Sequence, residues 1–144
     1  MSIYKLFWDD YCSWYLELVK PAYGQAIDKA TLDATLGFFE SLLKMIHPVM
    51  PFITEELWHD MAERGEKETI MFARTPVAGP WDEGTINDFE LAEEAVNALR
   101  GIRQQKNISP KEALEVKFKG AFPVRMLPVV CKLANISNAS IVED

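Results

Sequence analysis

Two prolines three residues apart fix more of this chain's path than any other feature. In "MIHPVMPFITEELWHDM", residues 45–61, Pro48 disfavours helical geometry at His47 and cannot join an incoming helical ladder. Pro51 suits the first turn of a new helix, where no amide donor is needed, and Thr54, Glu55 and Glu56 suit the positive end of that helix's dipole. The pair predicts a sharp, rigid corner between two packed helices. The incoming helix spans 31–46 and places Leu32, Leu36, Phe39, Leu43 and Ile46 on its core-facing line. The outgoing helix carries Ile53, Leu57 and Met61 inward, flanked by Trp58.

Residues 3–20 read as a further helix, ended by Pro21. Phe7, Tyr11, Trp14 and Leu18 form one apolar line, and Trp8, Cys12, Tyr15 and Val19 a second. Only a narrow polar stripe is left, made of Asp9, Asp10, Ser13, Glu17 and Lys20. Leu16 falls in line with Asp9, Ser13 and Lys20 at helical spacing, so it is expected to be exposed. A helix this apolar is normally buried around most of its circumference. It begins almost at the start of the chain, which predicts a fragment of a longer protein whose other segments cover that surface.

Past "AERGEKE" the pattern changes. "TIMFAR", 69–74, reads as a short strand, and the Pro/Gly-rich "TPVAGPWDEG" as a loop. Residues 87–106 predict a helix with Asn87 and Glu90 at capping-box spacing and Phe89, Val96, Leu99 and Ile102 inward. "LEVKFK", 114–119, alternates as a half-exposed strand does. A short helix near 124–134 and a strand near 139–142 finish the chain. The expected fold is mainly α: a helical bundle over 1–66, then a small β-α-β-α-β subdomain over 67–144, with the boundary near 64–68.

Composition narrows the function. The formal net charge of -7 over 144 residues argues against a general polyanion binder, because nonspecific nucleic-acid affinity comes from lysines and arginines releasing counterions. Any nucleic-acid contact must be local. No apolar run approaches the roughly 20 residues a bilayer needs, which points to a cytoplasmic protein with no membrane partner. Cys12 and Cys131 form no CxxC pair and are expected to be buried, reduced thiols. Phosphate-cradling glycine loops, HExxH and GxSxG are all missing, and two histidines with two distant cysteines make no zinc set. The acidic pairs Asp9-Asp10, Glu55-Glu56 and Glu93-Glu94 suit helix starts or solvated faces, so no catalytic residue and no metal ligand is assigned.

"FWDDYCSWYLELVKP", "HPVMPFITEELW" and "IRQQKNISPKEALEVKF" together resemble the anticodon-binding domain of the valyl-tRNA synthetases, class I aminoacyl-tRNA ligases. All three segments stand in that family's order, so the resemblance covers nearly the whole chain. The proline corner is shared more loosely with the isoleucyl, leucyl and methionyl relatives, whereas "WYLELVKP" and "IRQQKNISPKE" favour the valyl family. The resemblance implies a helical bundle of the class Ia synthetase anticodon-binding type. It also implies a role in holding the anticodon stem-loop of tRNA(Val), while a catalytic domain elsewhere in the parent chain uses ATP and Mg to activate valine. The two signature motifs of that catalytic domain do not occur in this sequence, so the fragment is not expected to aminoacylate.

By the same resemblance Leu16 and Glu17 lie beside the anticodon bases. RNA read in single-stranded loops needs an apolar surface for the base, a polar group for its edge and a cation for the backbone. Leu16, Glu17 and Lys20 supply one of each. A second cationic group, Arg100, Arg103, Lys106 and Lys111, surrounds the end of the long helix and its "NISP" exit. It has two readings: cations stabilising a helix C-terminus, or contacts to tRNA backbone. Trp58, Trp81, Phe38 and Phe39 have the shape to stack on bases, although packing within the protein is the expected use. The rival function class is a helical protein-interaction module whose apolar first helix docks on a partner.

Overall fold

The computed structural model describes residues 2–142. The described chain forms two compact units, one through Gly79 and one from Pro80 onward. The turn at 64–68, where the sequence places the boundary, lies inside the first unit. As expected from the hydrophobic patterning, the chain is mainly α with a small α/β part.

In the first unit, helix α1 covers 3–19 and is α-helical at Ile3–Lys5, π-helical at Leu6–Tyr15 and α-helical again at Leu16–Val19. Ser2 caps its start by accepting from the Lys5 amide at 3.3 Å. Helix α2 spans Lys29–Ile46 behind the N-cap Asp28, which accepts from the Thr31 amide at 2.9 Å. Hydrogen bonding from Thr31 also holds the Asp28 carboxyl below its usual range. Helix α3, Pro51–Asp60, starts with its proline in the first turn as the sequence requires.

The corner between α2 and α3 is closed by a side-chain pair that periodicity does not reveal. Thr54 is 2% exposed, and its hydroxyl donates to the Met50 carbonyl at 2.8 Å. It then accepts from His47 Nδ1 at 2.7 Å, tying the last residue before the break to the first turn after it. The core beneath is Leu43, Trp58 and Ile70, with Phe39, Leu57, Met61 and Ala73 packed against it. The buried line of α3 is therefore Thr54 and Trp58, while Ile53 is exposed. Leu32 and Leu36 of α2 are also exposed, and Leu42 joins Leu43 in the interior.

"TIMFAR" forms a 3₁₀ turn, Ile70–Phe72, instead of a strand. Among the described residues no strand pairs with its backbone. Glu55 takes that place, accepting from the Thr69 hydroxyl at 2.9 Å and the Ile70 amide at 3.3 Å. Ile70 drops into the core from the turn. β-Propensity describes fit to a pleated surface, and here there is none.

The second unit opens with helix α4, Glu83–Lys106, which begins before the predicted capping box because Asp82 is the N-cap, accepting from the Gly84 amide at 3.1 Å. Its buried line is Ala92, Val96 and Arg103, and Ile102 turns out to solvent. Strand β1, Leu114–Lys119, alternates half-buried and exposed as predicted. A 3₁₀ turn at Val124–Met126 leads into α5, Leu127–Ala134, and then β2, Ile136–Val142. The two strands pair in parallel, Val116 opposite Ala139 and Phe118 opposite Ile141, with a register shift beside Leu114. A parallel pair needs a crossover, and α5 supplies it. Val130, at 0% exposed, fills the space under the crossover.

Candidate nucleic-acid interface

Helix α1 is held to α2 by its tyrosines. The Tyr11 hydroxyl donates to the Thr35 carbonyl at 3.0 Å, and its ring stacks on Phe39 with centroids 6.0 Å apart. Burial pushes the Tyr11 phenol up to about 12, aided by the neighbouring Tyr15. Thr35 donates its own hydroxyl proton to Thr31 O at 2.7 Å, so Tyr15 must be the donor in the 3.1 Å contact between their oxygens. Leu6 at the other end lies with Leu42 and Met45 along one cavity. The two helices thus run in opposite directions, and residues 16–20 lie toward the first turn of α2.

The π ladder changes which side chains share a face. Bonds now reach five residues back: the Leu16 amide donates to Tyr11 O, and the Ser13 hydroxyl donates to Trp8 O at 2.9 Å. Leu16 is half-buried where a 3.6-residue period places it in solvent. Trp8 is rotated outward and is exposed. Cys12 is half-buried and unbridged, as is Cys131 in the second unit.

Once the helix returns to α geometry at Leu16, Glu17 and Lys20 stand on its outer edge, with their side chains 54% and 66% exposed and the ammonium 3.4 Å from Glu17 Oε1. Such an exposed pair is worth roughly 0.5 kcal/mol or less, so this pairing itself costs little to break. Lys20 also sits at the negative end of the helix dipole, which favours a cation there.

The second cationic group is built differently. Arg103 is 5% exposed; its guanidinium donates to Ser109 O at 2.9 Å, Ala134 O at 3.1 Å and Asn135 O at 3.0 Å. These are the carbonyls just past α4 and at the end of α5, and both helices stop on a left-handed asparagine, Asn107 at φ 54° and Asn135 at φ 53°. At the α4 exit the Ile108 amide returns to Arg103 O at 2.9 Å, closing a Schellman motif. Asn135 Nδ2 donates to Pro110 O at 2.9 Å, so the "KNISP" exit is cross-tied to the α5 exit. Arg103 is thereby corrected from an RNA contact to a structural tie, because the guanidinium is buried and both its Nη groups donate to carbonyls. Arg100 reaches Leu133 O at 3.3 Å while remaining exposed, and Lys106 and Lys111 are exposed.

The aromatic candidates divide along the same lines. Trp58 is buried, its indole N–H donating to Glu40 Oε1 at 3.1 Å with the Arg64 guanidinium 3.8 Å over its ring. Hydrogen bonding from Lys44, with help from Trp58, holds the Glu40 carboxyl below its usual range. Phe39 is packed, whereas Phe38 and Trp81 are exposed. An exposed aromatic that periodicity passes over is Tyr23, in the loop between α1 and α2. Among the described residues no three His, Cys, Asp or Glu side chains gather as a metal site, and no helix is long and apolar enough to cross a membrane.

The family described as "Anticodon-binding domain of tRNA ligase" matches residues 1–118. The chain belongs to that family. Among curated proteins, this anticodon-binding domain is 50% identical to the valine-tRNA ligase of Phocaeicola vulgatus over 145 residues, covering 100% of the chain and 17% of the relative. It is 49% identical to that of Parabacteroides distasonis over 144 residues, with 100% and 16% covered. Against that of Porphyromonas gingivalis the identity is 45% over 142 residues, with 99% and 16% covered. The anticodon-binding domain thus spans about one-sixth of the length of the relatives it matches.

Proposed function

We propose that this domain holds the anticodon stem-loop of tRNA(Val) for a valine-tRNA ligase. The observation that carries the reading is the outer edge of α1, where an apolar side chain, a carboxylate and an ammonium stand within one helical turn at Leu16, Glu17 and Lys20. Leu16, half-buried, offers a fixed apolar shelf. Glu17 can accept from a base's exocyclic amine, and Lys20 can meet a phosphate. Arg100 and Lys106 are proposed as further contacts to tRNA backbone, with Arg103 holding the helix end that carries them. The -7 net charge confines attraction to such local cations.

Valine activation with ATP and Mg belongs, on this reading, to a catalytic domain of the parent chain, acting in the cytoplasm. No residue here is assigned to ATP or the metal; this domain contributes position only. A second reading is favoured by a cavity of about 270 Å³ along α1 and α2, lined mainly by Leu6, Tyr15, Phe38, Leu42 and Met45. Its apolar walls suit a protein surface, which supports the interaction-module alternative.

Kinetics of the full-length ligase carrying Glu17→Ala or Leu16→Ala separate the two. Anticodon binding predicts a KM for tRNA(Val) raised about tenfold, with adenylate formation from valine and ATP unchanged. A fall in adenylate formation with KM for tRNA unaffected would sink the proposal in favour of a packing role.

A further inference from the structure

The loop joining α1 to α2 carries a side chain with no use inside its own unit. Tyr23 is 107% exposed, as open as a tyrosine in an extended peptide. Its backbone is nevertheless held. Pro21 fixes φ two residues before it, Gly24 follows at φ 79°, and the Gln25 amide donates to Ala22 O at 2.9 Å, closing a tight turn around Tyr23. The turn's third residue needs positive φ, which glycine adopts without strain. A rigid backbone thus holds an aromatic ring clear of the protein.

Its place along the chain matters as much as its exposure. Tyr23 is three positions after Lys20, so their Cα atoms lie at most about 11 Å apart. That distance is within the span of one or two nucleotides of a single-stranded loop. Single-stranded nucleic acid is held by aromatic rings for the bases and cations for the backbone, and Glu17 and Lys20 supply no ring. Tyr11 and Tyr15 cannot supply it either, since both are bonded to Thr35 on the inner side of α1.

We propose that Tyr23 is a base-stacking residue of this site: its ring packs on an unstacked anticodon-loop base, next to the base edge met by Glu17 and the phosphate met by Lys20. The inference rests on the anticodon-binding reading above. Stacking is indifferent to base identity, so Tyr23 adds affinity and orientation, while discrimination falls to Glu17. A preset turn lowers the ordering cost of such a contact.

Equilibrium binding of tRNA(Val) to the full-length ligase tests it, with Tyr23→Ala, Tyr23→Phe, Lys20→Ala and Glu17→Ala compared over a salt series. The expected result for Tyr23→Ala is a Kd raised roughly five- to a hundredfold at every salt concentration, with the salt slope unchanged. Lys20→Ala flattens that slope by about one phosphate contact. Tyr23→Phe keeps the ring and binds within twofold of the parent. A 2-aminopurine placed in the anticodon loop is quenched by the parent and by Tyr23→Phe, and brightens with Tyr23→Ala. An unchanged Kd for Tyr23→Ala alongside a weakened Glu17→Ala overturns the stacking role and leaves the anticodon reading intact. Unchanged Kd values for both overturn the two together, and a Tyr23→Phe as weak as Tyr23→Ala replaces stacking by a hydroxyl contact.

Discussion

Lys20 and Arg103 are both cations at helix ends, yet one stands in solvent beside a carboxylate and the other is 5% exposed against three carbonyls. The difference lies in what the helix end faces. After Lys20 the chain leaves into a loop, and the ammonium stays exposed beside Glu17. After Lys106 the chain turns back through Asn107 and Ser109 toward the end of α5, and the carbonyls of Ser109, Ala134 and Asn135 converge on Arg103. A planar guanidinium can satisfy several at once, which an ammonium does less well. Cationic composition at a helix end therefore says little about RNA until the carbonyls around it are counted.

Breaking that contrast should have its largest effect at Arg103. Arg103→Met removes a buried guanidinium and its three hydrogen bonds, leaving the buried Ala134 carbonyl without that donor, and is expected to destabilise the second unit by about 3 kcal/mol. A thermal melt should move down by roughly 10 °C or more. An unchanged melt would return Arg103 to the list of surface contacts. Lys106→Ala, by comparison, should change stability by less than about 0.5 kcal/mol.

The first unit offers a milder test at Tyr11. Tyr11→Phe deletes a hydrogen bond to Thr35 O worth about 1 kcal/mol. It should also alter the alkaline limb of stability. The folded phenol titrates at about 12, whereas an unfolded tyrosine titrates near 10. Ionisation therefore favours the unfolded chain, and the contribution of Tyr11 is fully present below pH 10 and lost as pH rises toward 12. Urea unfolding across that window should show a steeper decline in the parent than in Tyr11→Phe.

Glu40 gives the opposite limb. Its carboxyl is held below the ordinary range by Lys44 and Trp58, so its stabilisation is present above the unfolded carboxylate pKa and disappears as pH falls through the lowered folded value. Glu40→Gln should flatten the acid decline and change neutral stability by under about 1 kcal/mol. The smallest effect belongs to Glu17→Ala and Lys20→Ala, within about 0.5 kcal/mol of the parent, because the pair is exposed. A larger loss would mean that α1's outer edge is part of the fold and is not an open surface.

The sequence discloses the helical corner, the alternation of β1 and the α-rich class because each depends on local rules: proline's missing donor and the two periods of backbone structure. The contacts that decided the rest are non-local. "TIMFAR" is β-prone, but Glu55, fourteen residues before Thr69, took its hydrogen bonds. Helix α4 begins at Glu83 because Asp82 caps it, a choice between two plausible caps that spacing alone does not make. Leu16 was displaced by the π ladder, since a 3.6-residue period projected through Leu6–Tyr15 accumulates a rotational error before it reaches position 16. At Glu17 and Lys20 the sequence and the fold agree on exposure, so the polar half of the candidate site was legible. Its apolar half and the fate of Arg103 required the packed structure.

The most direct test of the account is aminoacylation by the full-length ligase of tRNA(Val) and of the same tRNA with an altered anticodon, each with the parent and with Glu17→Ala. If the edge of α1 reads the anticodon, the parent's kcat/KM preference for the unaltered tRNA shrinks at least tenfold in Glu17→Ala, while the melting temperature stays in place. A preference that survives the substitution in full would contradict the claim that this edge faces the anticodon.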